Sequence, residues 1–165
     1  MIVPIFGSPG CGKTTLGNAL MRKFSYPFFE LSWMPELRLM NGRAISYQDE
    51  EKIAVYALLN VAKTYCAHGH EVVLVSDFRL NSFDLVMHCI GSASPVVKLV
   101  ASDEAVLRSR ILDNSRPSAY RNIDQALSIN REISRQTFDS ELSIDVTKYT
   151  LEQEIASISE FINSC

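Results

Sequence analysis

The chain carries no C-x-x-C pair. Its four cysteines (Cys11, Cys66, Cys89 and Cys165) match no metal-ligand spacing, which argues against a zinc module and makes reduced thiols in a cytoplasmic setting the expectation. No apolar run approaches the length of a membrane span. The first apolar run begins at Ile2 and leaves no room for a secretory leader in the sequence as given. A basic excess is also missing: the formal net charge is −3, which argues against nucleic acid as the main partner. There is no repeat, low-complexity tract or linker. At 165 residues, 47% hydrophobic and 21% charged, the chain suits one domain over 1–165 with a substantial core.

What is present is concentrated near the start. The apolar run Ile2–Phe6 leads directly into Gly7-Ser8-Pro9-Gly10-Cys11-Gly12-Lys13-Thr14-Thr15, and a helix-forming stretch follows. Glycines let such a loop turn several N–H groups inward, and a helix starting near Lys13 adds its positive end. Lys13 can reach outer phosphates, and the Thr14 hydroxyl can hold Mg²⁺. The pattern G-x-x-x-x-G-K-[ST], in its strand-loop-helix setting, predicts binding of a nucleoside triphosphate.

Val72–Val75 and Val96–Val100 are short β-branched runs of the kind buried on both faces of a parallel sheet, with Phe28–Leu31 and Leu142–Ile144 as weaker strands. Three helices are signalled between or after them. Ser46 and Asp49 open one whose apolar stripe is Val55, Leu58, Leu59, Ala62 and Tyr65. Asp103 and Glu104 start another that buries Val106, Leu107 and Ile111. A Thr150/Gln153 capping box starts the last, with Leu151, Ile155, Ile158 and Ile162 on one face. This alternation implies an α/β fold with helices on both sides of a parallel sheet. Two segments stand apart, an acceptor flap at about 32–45 with an Asn41-Gly42 turn signal, and a polar lid at about 113–122. Both fall where open α/β sheets bind ligands, beyond the carboxyl ends of the strands.

Arginines gather after the fourth strand. Arg108, Arg110 and Arg116 cluster at a helix end and the loop after it, and Arg131 and Arg135 are spaced i, i+4. Single arginines are mostly surface charges, but such a cluster suits phosphoryl transfer, where positive charge around the γ-phosphate carries most of the catalysis.

With these residues the chain resembles the small P-loop kinases, the superfamily of nucleoside monophosphate, shikimate and gluconate kinases. Gly7–Thr15 with Leu16-Gly17 looks like their opening. Arg110 and Arg116-Pro117 resemble the lid arginines that clamp phosphates and stack near adenine. Asn130-Arg131, Phe138-Asp139 and Ile144-Asp145-Val146-Thr147 resemble the stretch leading into the last strand and the nucleotide-base loop. The resemblance implies a three-layer fold on a five-stranded parallel sheet of order 2-3-1-4-5, with a lid and an acceptor-binding segment. It implies ATP and Mg²⁺, a small-molecule acceptor, and a monomer or weak dimer. It also implies phosphate or acceptor contact for Arg131 and a base pocket along Val146–Lys148 that includes Thr147. The sequence departs from shikimate kinases at Phe29-Glu30-Leu31-Ser32-Trp33 and Ser76-Asp77-Phe78-Arg79, where they carry an Asp-x-Asp-like pair and a glycine run. Shikimate is therefore not the expected acceptor.

Asp77, at the end of the most apolar strand, can hold Mg²⁺ or take a proton from an acceptor hydroxyl; the alternative is a helix cap. Glu30 is the second candidate base, although strand alternation could equally turn it to solvent. Trp33 can stack on a flat acceptor or pack under the flap, and packing is the commoner case. Arg79 can bind an anionic acceptor group or pair with Asp77. Arg38 and Arg43 suit a phosphate or carboxylate, with surface charge as the competing role. These flap arginines tilt the expected acceptor toward an anion, a nucleotide being the runner-up. A different class is a partner-dependent ATPase with no small-molecule acceptor. The chain has no Asn-Lys-x-Asp guanine motif, and it is short for an AAA module with its helical domain. Cys11 at a helix start would have a lowered thiol pKa. His68 and His70 read as turn residues with no metal.

Overall fold

β1 (Ile2–Gly7) sends Val3 and Ile5 into one apolar cluster and Phe6 into another on the opposite face. β3 (Val73–Ser76) and β4 (Val96–Val100) divide in the same way, with Leu74, Val97 and Leu99 on the first side and Val73, Val75 and Val96 on the second. Strands that are apolar on both faces need cover on both faces. The computed structural model of the chain describes residues 1–34, 46–113, 115 and 118–165, and among these it supplies that cover. The first side is packed by α1 (Lys13–Phe24), α4 (Glu104–Leu112) and α6 (Leu151–Ser164) through Leu16, Leu20, Leu107, Ile111, Ile155, Ile158 and Ile162. The second is packed by α2 (Tyr47–Ala67) and α3 (Phe83–Ile90) through Val55, Leu58, Leu59, Ala62, Phe83 and Val86. α5 (Ile123–Arg135) gives Ala126 and Leu127 to the first side and Ile133 to the second.

With β2 (Phe28–Glu30) and β5 (Glu141–Asp145), the strands form one sheet of order β2-β3-β1-β4-β5. Every pairing is parallel. This is the three-layer α/β architecture expected from the alternation and the resemblance. The expected helix starts are also present. Ser46 Oγ accepts from the Asp49 amide, Asp103 accepts from the Ala105 and Val106 amides, and Thr150 and Gln153 form a reciprocal capping box. Tyr65 leaves the expected stripe: it is largely exposed and packs its ring edge-on against Phe29. Arg38, Arg43, Arg116, Pro117 and the Asn41-Gly42 turn lie outside the described residues.

Two packing features set the loops around the site. Phe6 stacks on Phe83 at 4.0 Å and on Phe138 at 5.3 Å, and meets Phe78 edge-on at 5.9 Å. Phe78 thereby anchors the chain immediately after Asp77. On the other face, Gly17 of α1 lies against the buried Phe28 ring so closely that a Cβ there would sit 2.4 Å from it. Gly17→Ala is expected to lower stability by roughly 1–3 kcal/mol through overpacking, more than the ~1 kcal/mol gained in helix propensity. Thermal unfolding should show a Tm lower by several degrees; an unchanged or raised Tm would mean that the Phe28 ring moves aside freely.

Candidate functional site

The P-loop follows the central strand, and its shape comes from two glycines with positive φ, Gly10 (+93°) and Gly12 (+87°). A side chain at Gly10 would also collide with Leu107 and Ile111 of α4, since its Cβ would stand 2.9 Å from each. α1 begins at Lys13 with no side-chain cap from Gly12 and no acid in its first turn. Its leading N–H groups and positive dipole end therefore remain available to an anion. Lys13 is buried in the cradle, its Nζ donating to the Gly7 carbonyl at 2.9 Å and the Ser8 carbonyl at 3.3 Å, with Asp77 Oδ1 at 3.9 Å. Ser8 is fully buried, and its Oγ lies 3.2 Å from the Cys11 sulfur. Cys11 differs from expectation: burial, the largest influence, pushes its thiol pKa up despite the Ser8 hydrogen bond and the Lys13 charge. The thiol faces the core, away from water and oxidants.

A cleft of about 1000 Å³ opens over this loop. One end is acidic. Thr14 Oγ1 donates to Glu30 Oε1 at 2.6 Å, and Ser76 Oγ donates to the same oxygen at 3.3 Å. Glu30 is only 5% exposed, so strand alternation turns it inward, toward the site. Asp77 also lines the cleft, with its side chain 41% exposed. Its φ of +70° is uncommon outside glycine. It caps no helix, since the helical turn Leu80–Ser82 starts from Arg79. A backbone held in this conformation at a strand end aims the carboxylate over the cradle. The loop is braced from α2, where buried Glu51 accepts from Ser82 Oγ at 2.6 Å and Asn81 Nδ2 at 3.2 Å.

The donor set fits Mg²⁺ as bound with phosphates, a hydroxyl and carboxylates being the hard oxygen ligands that ion takes alongside phosphate oxygens and water. Glu30→Gln should lower kcat by at least about tenfold and raise the Mg²⁺ concentration needed for half-maximal rate, since it removes the charge next to Thr14. Rates measured against Mg²⁺ concentration test this; an unaltered Mg²⁺ dependence would separate Glu30 from the metal.

The other end of the cleft is lined by Arg110, Tyr120, Tyr149, Thr150, Leu151 and Glu154. Arg110 Nη2 donates to the Val146 carbonyl at 2.9 Å, which fixes the end of α4 to the segment after β5. That segment is held by Asp145, which accepts from the Ser102 and Thr147 amides at 3.1 Å and from Thr147 Oγ1 at 2.7 Å, and pairs with Lys148 at 3.0 Å. Burial alone would raise the Asp145 carboxyl, but these hydrogen bonds outweigh it and hold it well below the usual carboxylate range.

The structure thus brings Lys13, Thr14, Thr15, Glu30, Asp77 and Arg110 to one cleft. Gly7 and Ser8 do not line it, their carbonyls accepting from Lys13, and neither do four further expected residues. Thr147 faces Asp145 and Ser102 and closes the β4–β5 end. Arg131 makes a bidentate pair with Glu104 at 2.7 and 2.8 Å, tying α5 to α4. Arg79 points toward Glu51, with its Nε at 3.9 Å. Trp33 is 51% exposed and touches Phe28 edge-on. Asn18, Ser32, Tyr120, Tyr149, Thr150 and Glu154 line the cleft without having been singled out for it. The Thr150/Gln153 capping box was the available signal for the last of these, because it fixes where α6 begins and so which residues face the P-loop.

The family model of ATPases associated with various cellular activities (AAA) matches residues 3–78, from β1 through the chain after β3. No curated protein matches the chain at the sequence level. Among solved structures, it is similar to a sugar kinase from Janibacter sp. (15% identity, 98% of this chain and 94% of that one, TM-score 0.69). It is also similar to shikimate kinase from Bacteroides thetaiotaomicron (23%, 99% and 98%, 0.64). A third is deoxyadenosine kinase from M. mycoides with dCMP and dCDP bound (18%, 100% and 100%, 0.56). None of the described helices is long and apolar enough to cross a membrane. Over essentially its whole length, then, the chain has the three-layer α/β fold of the small P-loop kinases.

Proposed function

We propose that the protein transfers the γ-phosphate of a Mg²⁺-bound nucleoside triphosphate, ATP by resemblance, to a hydroxyl-bearing small molecule. The observation that carries this reading is the continuation of the cleft beyond the cradle to an end lined by Glu30, Ser32 and Asp77. That end offers a second compound a place next to the terminal phosphate, with a carboxylate at hand. Kinase activity in structural relatives as different as a sugar kinase and a deoxyadenosine kinase supports the same reaction class.

In this reading, the P-loop amides and Lys13 hold the outer phosphates, and Lys13 neutralises charge that develops during transfer, while Arg110 holds the nucleotide at the other end of the cleft. Mg²⁺, held through Thr14 with Glu30 behind it, supplies charge neutralisation on the phosphate oxygens. Asp77, the more exposed carboxylate, orients the acceptor hydroxyl and receives its proton. An anionic acceptor, including a nucleoside monophosphate, would suit Arg38 and Arg43.

The deciding experiment follows ADP formation from Mg-ATP, alone and against nucleoside monophosphates, sugar acids and other hydroxyl compounds. Strong stimulation by one acceptor is expected and would name its class. A slow, flat rate across the panel would overturn the kinase reading in favour of an ATPase that acts through a partner.

A further inference from the structure

α6 packs an apolar stripe of partly buried Leu151 and buried Ile155, Ile158 and Ile162, and Glu154 falls within it, three residues after Leu151 and four before Ile158. Glu154 is 7% exposed and lines the cleft. Among the described residues its carboxyl accepts no hydrogen bond, and the neighbouring charge is Arg110, whose guanidinium already donates to the Val146 carbonyl. Burial pushes the Glu154 carboxyl up to about 6, with Arg110 pulling the other way. An acid inside a packing stripe with no hydrogen-bond donor of its own is costly. A hydrophobic residue would pack better, and a break in local pattern of this kind marks functional positions. The position is also rigid, because the Thr150/Gln153 box and the Glu154 N–H bond to the Thr150 carbonyl (2.9 Å) fix the first turn of α6.

Its place along the cleft indicates the ligand. The phosphate cradle follows β1, and the acidic end with Glu30 and Asp77 lies on the β2–β3 side. A triphosphate whose last phosphate points toward that end extends its nucleoside toward the β4–β5 side. There Arg110, Tyr149 and Leu151 offer flat and apolar surface to a ring, and Glu154 is the buried carboxylate beside them. We infer that Glu154 reads the base of the bound nucleotide by accepting a hydrogen bond from its exocyclic amino group. The inference rests on the cleft binding a nucleoside triphosphate. Adenine (N6) and guanine (N2) share this chemistry, and a pair of matched ligands distinguishes them.

The test measures equilibrium binding to the full chain in Mg²⁺ for ATP against purine riboside triphosphate, and for GTP against ITP. Each pair differs by one amino group. Inorganic tripolyphosphate reports the cradle alone. The wild type should prefer the amino-bearing member of one pair by about tenfold or more, the scale of a hydrogen bond to a charged group, and that pair names the base. Glu154→Ala should reduce the preference to about twofold or less with tripolyphosphate binding unchanged. Glu154→Gln keeps a carbonyl acceptor of the same length and should retain part of the preference. A wild type indifferent to both amino groups overturns the inference, as does a preference that survives Glu154→Ala. So does a loss of tripolyphosphate affinity as large as the loss for nucleotide, which would place the action of Glu154 on Arg110 and the loop. If wild type binds none of the five ligands, the nucleotide reading itself falls.

Discussion

Lys13→Ala is expected to reduce phosphoryl transfer by about a thousandfold or more while leaving the protein folded. The size follows from the geometry. Lys13 Nζ is held in the cradle between the Gly7 and Ser8 carbonyls, 3.9 Å from Asp77, so the charge is already in place when phosphates arrive. Preorganised positive charge of this kind accounts for factors of ~10²–10⁵ in related chemistry. The folding cost is expected to be about 1–3 kcal/mol, because the Gly7 and Ser8 carbonyls that lose a donor are buried. Turnover of Mg-ATP with the stimulating acceptor and a thermal melt of the same preparation would separate the two effects. Unchanged turnover would remove the P-loop from the mechanism, and a collapsed melt would show that Lys13 is needed for the fold.

The second large effect concerns two adjacent residues of α5. Asn130 is buried and clasps one residue of the main chain, its Oδ1 accepting from the Ala101 amide and its Nδ2 donating to the Ala101 carbonyl, both at 2.9 Å. Ala101 follows β4 directly, so the clasp ties α5 to the sheet end from which α4 and Arg110 depart. Asn130→Ala leaves both buried backbone groups without these partners, and a loss of roughly 2–4 kcal/mol follows from the penalty for such groups. Arg131, its neighbour, faces solvent in its pair with Glu104, and Arg131→Ala should stay within about 0.5 kcal/mol of the wild type. Urea unfolding of both variants tests the contrast. A loss for Asn130→Ala no larger than that for Arg131→Ala would refute the structural role of the clasp.

These residues also show where the sequence was legible. Strand-loop-helix chemistry around Gly7–Thr14 is local: the glycines, the lysine and the hydroxyl act within a few residues of one another, so spacing alone reveals the cradle. Helix starts at Ser46, Asp103 and Thr150 are local in the same sense, and all three are present. Side-chain direction is not local. Sequence places Asn130 and Arg131 side by side, and the resemblance pointed to the charged one. Which of them turns inward depends on how α5 packs across the end of β4, and the amide is the one taken inside. Glu30 was equally open to solvent or cleft until the pairing of β2 with β3 set Ser76 and Thr14 beside it. Glu154 was hidden for a different reason. It sits among glutamates and a glutamine at the start of a helix, where acids are expected for the dipole alone, and only the cleft wall sets it apart from Glu152.

The strand order has a consequence for how such a molecule can change. Glu30, Ser32 and Asp77 sit at the ends of β2 and β3, whereas Arg110, Tyr149 and Glu154 belong to segments that follow β4 and β5. On the proposed reading, contacts to the two compounds would therefore come from separate stretches of chain, joined through β1. Exposed positions such as Ser32 and Trp33 could then change to suit a new acceptor, while Glu30 and Asp77, tied to Thr14 and Lys13, would have to stay.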